Sequence, residues 1–260
     1  FSPWAKLITY YTRQRDYGAA MKEVQAYREE AIRLNNAYAI SFSYRYIGNI
    51  YLLQSNHVRA IQEYMKGIHY SITQHETTNL HEIYLSVGKA YRYMKQYDSA
   101  FVYFEKVLEM IPENTKFNIY LPMSTMALEQ NKMEIATQYM EKMEKWIAKY
   151  PLHGADRDSY FAHMSRYYSK CKNFDKAISM TDSIKNAFPL AQQKYLLYSD
   201  MADYEQAFKW LKQLRNMEKQ KANKEVNDKL NELTVRFDTE RLKAEKNRLA
   251  LQNSQLKLQQ

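Results

Sequence analysis

Residues 81–114 read HEIYLSVGKAYRYMKQYDSAFVYFEKVLEMIPEN, and this stretch decides the fold. Tyr84, Val87, Gly88 and Tyr91 follow one another at offsets of 3, 4 and 7 from the first, which places all four on one face of a helix. Gln96-Tyr97-Asp98 is a short polar and aromatic turn. Ala100 and Phe104 then share the apolar face of a second helix, and Pro112, which cannot continue a helix, stops it. The stretch is a helix, a turn and a helix.

Working outward, the same frame recurs around Ala20, Ala60, Ala136, Ala177 and Ala207, with spacings of 40, 40, 36, 41 and 30 residues along the six alanines. Sixteen residues before each alanine stand Trp4, Tyr44, Tyr84, Tyr120, Phe161 and Ala191, and nine before stand Tyr11, Tyr51, Tyr91, Ala127, Tyr168 and Tyr198. Thirteen before stand Leu7, Ile47, Val87, Met123 and Met164, with Lys194 as the exception. Twelve before include the small residues Gly48, Gly88, Ser124 and Ser165, with Tyr195 the exception in the short last unit. Val24, Tyr64, Phe104, Met140 and Leu211 lie four residues after an alanine, with Thr181 the polar exception. The small residue of the first helix and the alanine of the second permit close packing of each pair. Pro112, Pro151 and Pro189 are expected near the ends of second helices, Pro122 is expected to kink or delay a first helix, and residues 73–79 read as a longer loop.

Composition agrees with helices throughout. Only 5 Gly and 5 Pro stand among 260 residues, which argues against hairpin-rich β folds, collagen and low-complexity disorder. Hydrophobic content of 45% with 26% charged residues is that of a globular chain, and no stretch approaches the roughly 20 apolar residues of a membrane span. The one cysteine, Cys171, excludes an intramolecular disulfide and a Cys-based zinc site. The opening at Phe1 rather than Met is expected of a processed or excised piece.

The pattern resembles the tetratricopeptide repeat family, residues 81–114 being the clearest copy and residues 1–219 the extent of the likeness. The resemblance implies an all-α fold: a right-handed α-solenoid of about six helix pairs, with units near 1–40, 41–80, 81–116, 117–157, 158–187 and 188–219, followed by a coiled-coil linker helix over 220–260. In the family, first-helix positions face a concave groove. Carried over, these are Phe42, Arg45, Asn49 and Leu52, then Glu82, Leu85, Lys89 and Arg92, then Ser159, Ala162, Arg166 and Ser169. Arg45 and Asn49 occupy positions where peptide-carboxylate clamps of the family place a cation and an asparagine, but Ser86 and Pro122 stand where that clamp needs Asn and a cation. The candidate peptide-binding residues are therefore Arg45, Tyr46, Asn49, Glu82, Lys89, Arg92, Tyr93 and Arg166: a modestly basic groove with aromatic edges, suited to an acidic or extended peptide.

From about Asn223 the repeat signature ends and no Gly or Pro occurs through Gln260. Val226, Leu230, Leu233 and Phe237 alternate by 4, 3 and 4, a coiled-coil seam. Two seven-residue series follow on different faces: Phe237, Ala244, Leu251, Leu258 and Val235, Leu242, Leu249, Leu256. Residues 207–260 carry 13 Lys and Arg against 7 Asp and Glu, but the acids interrupt the bases, so a solvated coiled-coil face is expected rather than a nucleic-acid reader. This helix is expected to project and to pair as a homodimer. The segment resembles the linker of bacterial tetratricopeptide sensor and regulator proteins, in which extracytoplasmic repeats lead through a coiled coil and one membrane span to a histidine kinase or helix-turn-helix output.

Catalytic readings fail on arrangement, for the sequence holds no Gly-rich phosphate loop, HExxH, GxSxG or CxxC. His69, His75 and His81 do not share a helix face, Cys171 lacks a placed base, and Asp156 and Asp158 near His153 read as helix capping after a loop. No catalytic residue, metal or cofactor is expected. The resemblance implies a non-catalytic sensory and protein-interaction region of a bacterial signalling protein, periplasmic and anchored by a span outside this chain, with a protein or peptide as ligand. The alternatives are a cytoplasmic scaffold or regulator, and an enzyme with a site between repeats and tail.

Overall fold

The computed structural model describes residues 2–258. Among these are twelve α-helices and one 3-10 turn, Glu113–Thr115. The helices pair as α1 (Ser2–Arg13) with α2 (Tyr17–Arg33), α3 (Ala37–Leu53) with α4 (His57–Thr73), α5 (Leu80–Tyr93) with α6 (Tyr97–Met110), and α7 (Phe117–Glu129) with α8 (Met133–Ile147). These lie in a first compact unit, Phe1–Leu152. A second unit, His153–Gln260, holds α9 (Gly154–Lys170) with α10 (Phe174–Asp182) and α11 (Ala187–Asp200) with α12 (Tyr204–Leu258).

The turns explain the polar and aromatic signature. Arg15, Asn35, Ser55, His75, Lys95, Asn131, Lys172 and Ala202 all adopt positive φ just after a helix, without a glycine among them. The residue after each donates its backbone N–H back to a carbonyl five positions earlier, as Asp16 does to Tyr11 at 2.9 Å and Asn56 to Tyr51 at 2.9 Å. That same residue often opens the next helix: the side chains of Asp16, Asn36, Asn56 and Asn173 each accept from a backbone N–H in the first turn. One short link thereby closes one helix and starts its partner.

The six packing alanines are buried, at 0% exposure except Ala207 at 5%. The small position of the first helix meets the residue four after the alanine: a β-carbon added to Gly88 would strike the Phe104 ring at 2.8 Å. The polar exception in the fifth pair follows the same rule by other means, since Ser165 Oγ and Thr181 Oγ1 lie 2.7 Å apart in a hydrogen bond, with Gln193 Nε2 donating to Ser165 at 3.3 Å. Lys194, the charged exception, pairs with Asp182 at 3.0 Å and lies over the Trp210 ring.

The abundance of tyrosine also has a repeated cause. Lys106 Nζ stands 5.2 and 5.3 Å from the rings of Tyr84 and Tyr103, and Lys142 Nζ stands 5.9 and 4.7 Å from those of Tyr120 and Tyr139. In both pairs a first-helix tyrosine, a second-helix tyrosine and a lysine one turn on form a cation–π cluster at the same repeat positions.

Several local expectations are corrected. Pro189 is the third residue of α11, where its missing donor costs nothing, rather than the end of a second helix. Pro122 is the sixth residue of α7, inside a first helix. Asp158 does not cap its own helix: it is buried within α9 and accepts the backbone N–H groups of Lys185 and Asn186 at 3.0 and 2.9 Å, tying down the link before α11. Finally, α12 runs through residue 219 as one 55-residue helix, so the second helix of the sixth pair and the C-terminal helix are a single element. The side chains of Leu251, Leu256 and Leu258 lie outside the described residues.

Candidate functional site

The first unit contains a cavity of about 320 Å³ walled by three first helices. From α1 come Ile8, Thr9, Thr12 and Arg13; from α3, Arg45, Tyr46, Asn49, Leu52 and Leu53; from α5, Ser86 and Lys89. Residues one turn apart on each helix share the cavity face, which is why the 3- and 4-residue spacing brings them together.

Arg45 is held in place. Its Nη1 lies 2.9 Å from Glu82 Oε2, its Nε donates to Ser86 Oγ at 3.2 Å, and its guanidinium carbon stands 4.8 Å from the centre of the Phe42 ring. Ser86 Oγ in turn donates to the Glu82 carbonyl at 3.0 Å. Asn49 is oriented from behind, because its Oδ1 accepts from the Tyr64 hydroxyl at 2.7 Å. Tyr46 packs edge-on against both Phe42 and Tyr27, and Phe42 stacks on Tyr38, so α3 presents an aromatic ladder beside the cavity.

The electrostatics favour an anion. Lys89 keeps contact with solvent, yet the surrounding walls, then the like charges of Arg45 and Arg92, hold its pKa below the usual lysine value, with Glu82 opposing. A negative group brought to Lys89 relieves that repulsion. Three cations, Arg13, Arg45 and Lys89, thus stand among the lining residues with no carboxylate beside them there, and Glu82 pairs with Arg45.

Of the sequence-selected residues, the structure gathers Arg45, Tyr46, Asn49 and Lys89 at the cavity and Glu82 behind Arg45. Arg92 and Tyr93 do not line it. They close α5 at its C-terminal end, where Arg92 lies 5.7 Å from the Tyr93 ring and Tyr93 stacks on His57. Arg166 belongs to α9 in the second unit, near the buried His163. Sequence reasoning missed Thr9, Thr12 and Arg13 of α1, whose positions follow the same repeat register, and Ser86, which reads only as a departure from a clamp. Cys171 is exposed at the end of α9. Among the described residues no group of three or more His, Cys, Asp or Glu could hold a metal ion, and no helix is long and apolar enough to cross a membrane.

Residues 81–114 match the tetratricopeptide repeat family. No curated protein matches the chain. Among solved structures, a tetratricopeptide repeat protein from Parabacteroides merdae superposes with a TM-score of 0.60 at 13% identity, over 83% of this chain and 80% of that one. PilW, a type IV pilus biogenesis factor, gives 0.60 at 15% identity over 83% and 92%, and pilF of Pseudomonas aeruginosa gives 0.58 at 15% over 83% and 90%. At these identities the likeness is one of fold.

Proposed function

We propose that this chain, which carries the tetratricopeptide-repeat fold, is a non-catalytic protein-interaction region whose cavity between α1, α3 and α5 holds an extended acidic peptide of a partner protein. Repeats of this family are protein–protein interaction scaffolds. The observation that carries the finer reading is the charge imbalance of the cavity. Arg45 is neutralised by Glu82, while Arg13 and Lys89 flank an apolar floor of Ile8, Leu52 and Leu53. A carboxylate on such a peptide meets the cations, and an adjacent apolar side chain meets the floor.

Calorimetric titration with an acidic peptide, and with the same peptide in which Asp and Glu are replaced by Asn and Gln, tests this. The acidic form is expected to bind more tightly, to weaken with salt, and to lose about tenfold in affinity on Lys89→Glu, or roughly 1.4 kcal/mol. Equal binding of both peptides to wild type would sink the reading.

A second reading takes the chain as the sensory region of a bacterial signalling protein that passes partner binding to paired C-terminal helices. It is supported by the continuity of α12, which packs on α11 at its start and projects beyond it, so that any shift of the sixth pair moves the whole rod. Hydrogen exchange along α12 with and without the bound peptide measures the coupling; identical protection in both states would remove it.

A further inference from the structure

In the first, second, third and fifth pairs, the residues three before and one after the packing alanine form a pair on the second helix: Tyr17 with Met21, His57 with Ile61, Tyr97 with Phe101, and Phe174 with Ile178. All eight are half-buried. The first helix of the following pair lies against each of these second helices, α3 on α2, α5 on α4, α7 on α6 and α11 on α10. In the sixth pair the same positions hold Tyr204 and Phe208, which are 74% and 69% exposed. No helix follows α12 among the described residues to cover them.

The bare pair is the beginning of a longer stripe. Steps of four and three residues carry the same face of α12 from Tyr204 and Phe208 through Leu211, Arg215, Lys219 and Ala222 to Val226, Leu230, Leu233 and Phe237. The last four are exposed at 59%, 57%, 49% and 68%. At 1.5 Å per residue the stripe is about 50 Å long.

The geometry points to a second copy of this chain as the occupant, its α12 laid antiparallel so that its Leu233 and Phe237 cover Phe208 and Tyr204 in the seat a further repeat's first helix would take. This rests on the pairing of C-terminal helices in the second reading above and gives it a direction. Length is one argument, since α12 is the one described helix long enough to cover the stripe from end to end. The seat is another: consecutive helices joined by short links run antiparallel, and an antiparallel α12 reproduces the way α3 lies on α2. Charge is the third. A parallel pair in register would set Arg215 on Arg215 and Lys219 on Lys219 in the seam. The antiparallel pair sets them opposite Val226 and Ala222, small residues past which their stems reach solvent.

The test uses the full chain. Sedimentation equilibrium is expected to give a dimer, and Phe208→Asp, a change at an exposed position, is expected to weaken the dimer at least about tenfold with helical content retained. In a Cys171→Ser background, a spin label at Glu205→Cys reads the direction: the antiparallel pair separates the two labels by about 45 Å, a parallel one leaves them within roughly 20 Å. A monomer at high concentration would overturn both the pairing and this inference. A dimer with the short distance, or one unmoved by Phe208→Asp, would overturn the inference and leave the pairing standing.

Discussion

A β-carbon built on Gly48 would stand 2.3 Å from Cε1 of Tyr64, so it is the single hydrogen at Gly48 that lets α3 lie against α4. Tyr64 cannot retreat: its ring is fully buried and its hydroxyl is tied to Asn49. The contact therefore links the packing of the second pair to the cavity wall, because the same tyrosine orients Asn49. Gly48→Ala is expected to destabilise the protein by roughly 1–3 kcal/mol through overpacking. Gly18→Ala is the control. Its new carbon would meet nothing nearer than 3.8 Å on an exposed helix, and it is expected to stabilise by about 0.5–1 kcal/mol. Urea denaturation of the two variants compares them directly.

Ala202 holds φ at 58° in the link between α11 and α12, a left-handed conformation that strains its β-carbon without any polar side chain in return. Ala202→Gly should raise stability by about 1 kcal/mol, seen as a higher denaturation midpoint with an unchanged slope. A lower midpoint would refute the assignment of strain there.

Asp158 accepts two backbone N–H groups, from Lys185 and Asn186, and these bonds hold its carboxyl below the usual carboxylate range. Asp158→Ala leaves both donors unpaired beside a buried position and is expected to cost roughly 2–4 kcal/mol. Asp158→Asn keeps an acceptor and should recover part of that loss in the same melt.

His163 is buried in α9, and burial, followed by the positive Arg166, lowers its pKa to about 4. In the unfolded chain it titrates near 6.5, so between about 6.5 and 4 the unfolded state binds more protons than the folded one. Stability from this group is complete above about pH 6.5 and is lost progressively as pH falls toward 4. His163→Met should flatten the stability profile across that window. A wild-type profile already flat there would exclude a neutral buried imidazole. Loss of the Asp158 contribution lies lower, as pH falls through the depressed carboxylate pKa.

Much of this molecule was legible in the residues. The alanine frame marks every helix pair, and the offsets twelve before and four after it, Gly48 with Tyr64 and Gly88 with Phe104, mark which side chains meet. Those signals are local and periodic, so they survive in one dimension. Two exceptions looked like failures of the pattern and were not. Thr181 meets Ser165 at those same two offsets, by a hydrogen bond in place of apolar packing, whereas Lys194 is satisfied by Asp182, a partner that no spacing rule selects. Asp158 read as a cap of its own helix because its reach to residues 185 and 186 is a contact between helices distant in sequence.

The candidate site divides in the same way. Arg45, Asn49 and Lys89 follow from helix register, and Arg13 holds the register place of Leu53, so what the structure adds is that α1 and α3 wall one cavity. That Arg45 is engaged by Glu82, and that Tyr93 turns away to stack on His57, depends on rotamers and on where helices end. By itself, then, the sequence determined the repeat, its all-helical pairs and the seam along the last helix, because helix periodicity and backbone links act over a few residues. The tertiary structure alone decided which cations share a cavity, which are already neutralised, and which apolar pair at Tyr204 and Phe208 is left uncovered, because charge balance and burial belong to neighbours in space.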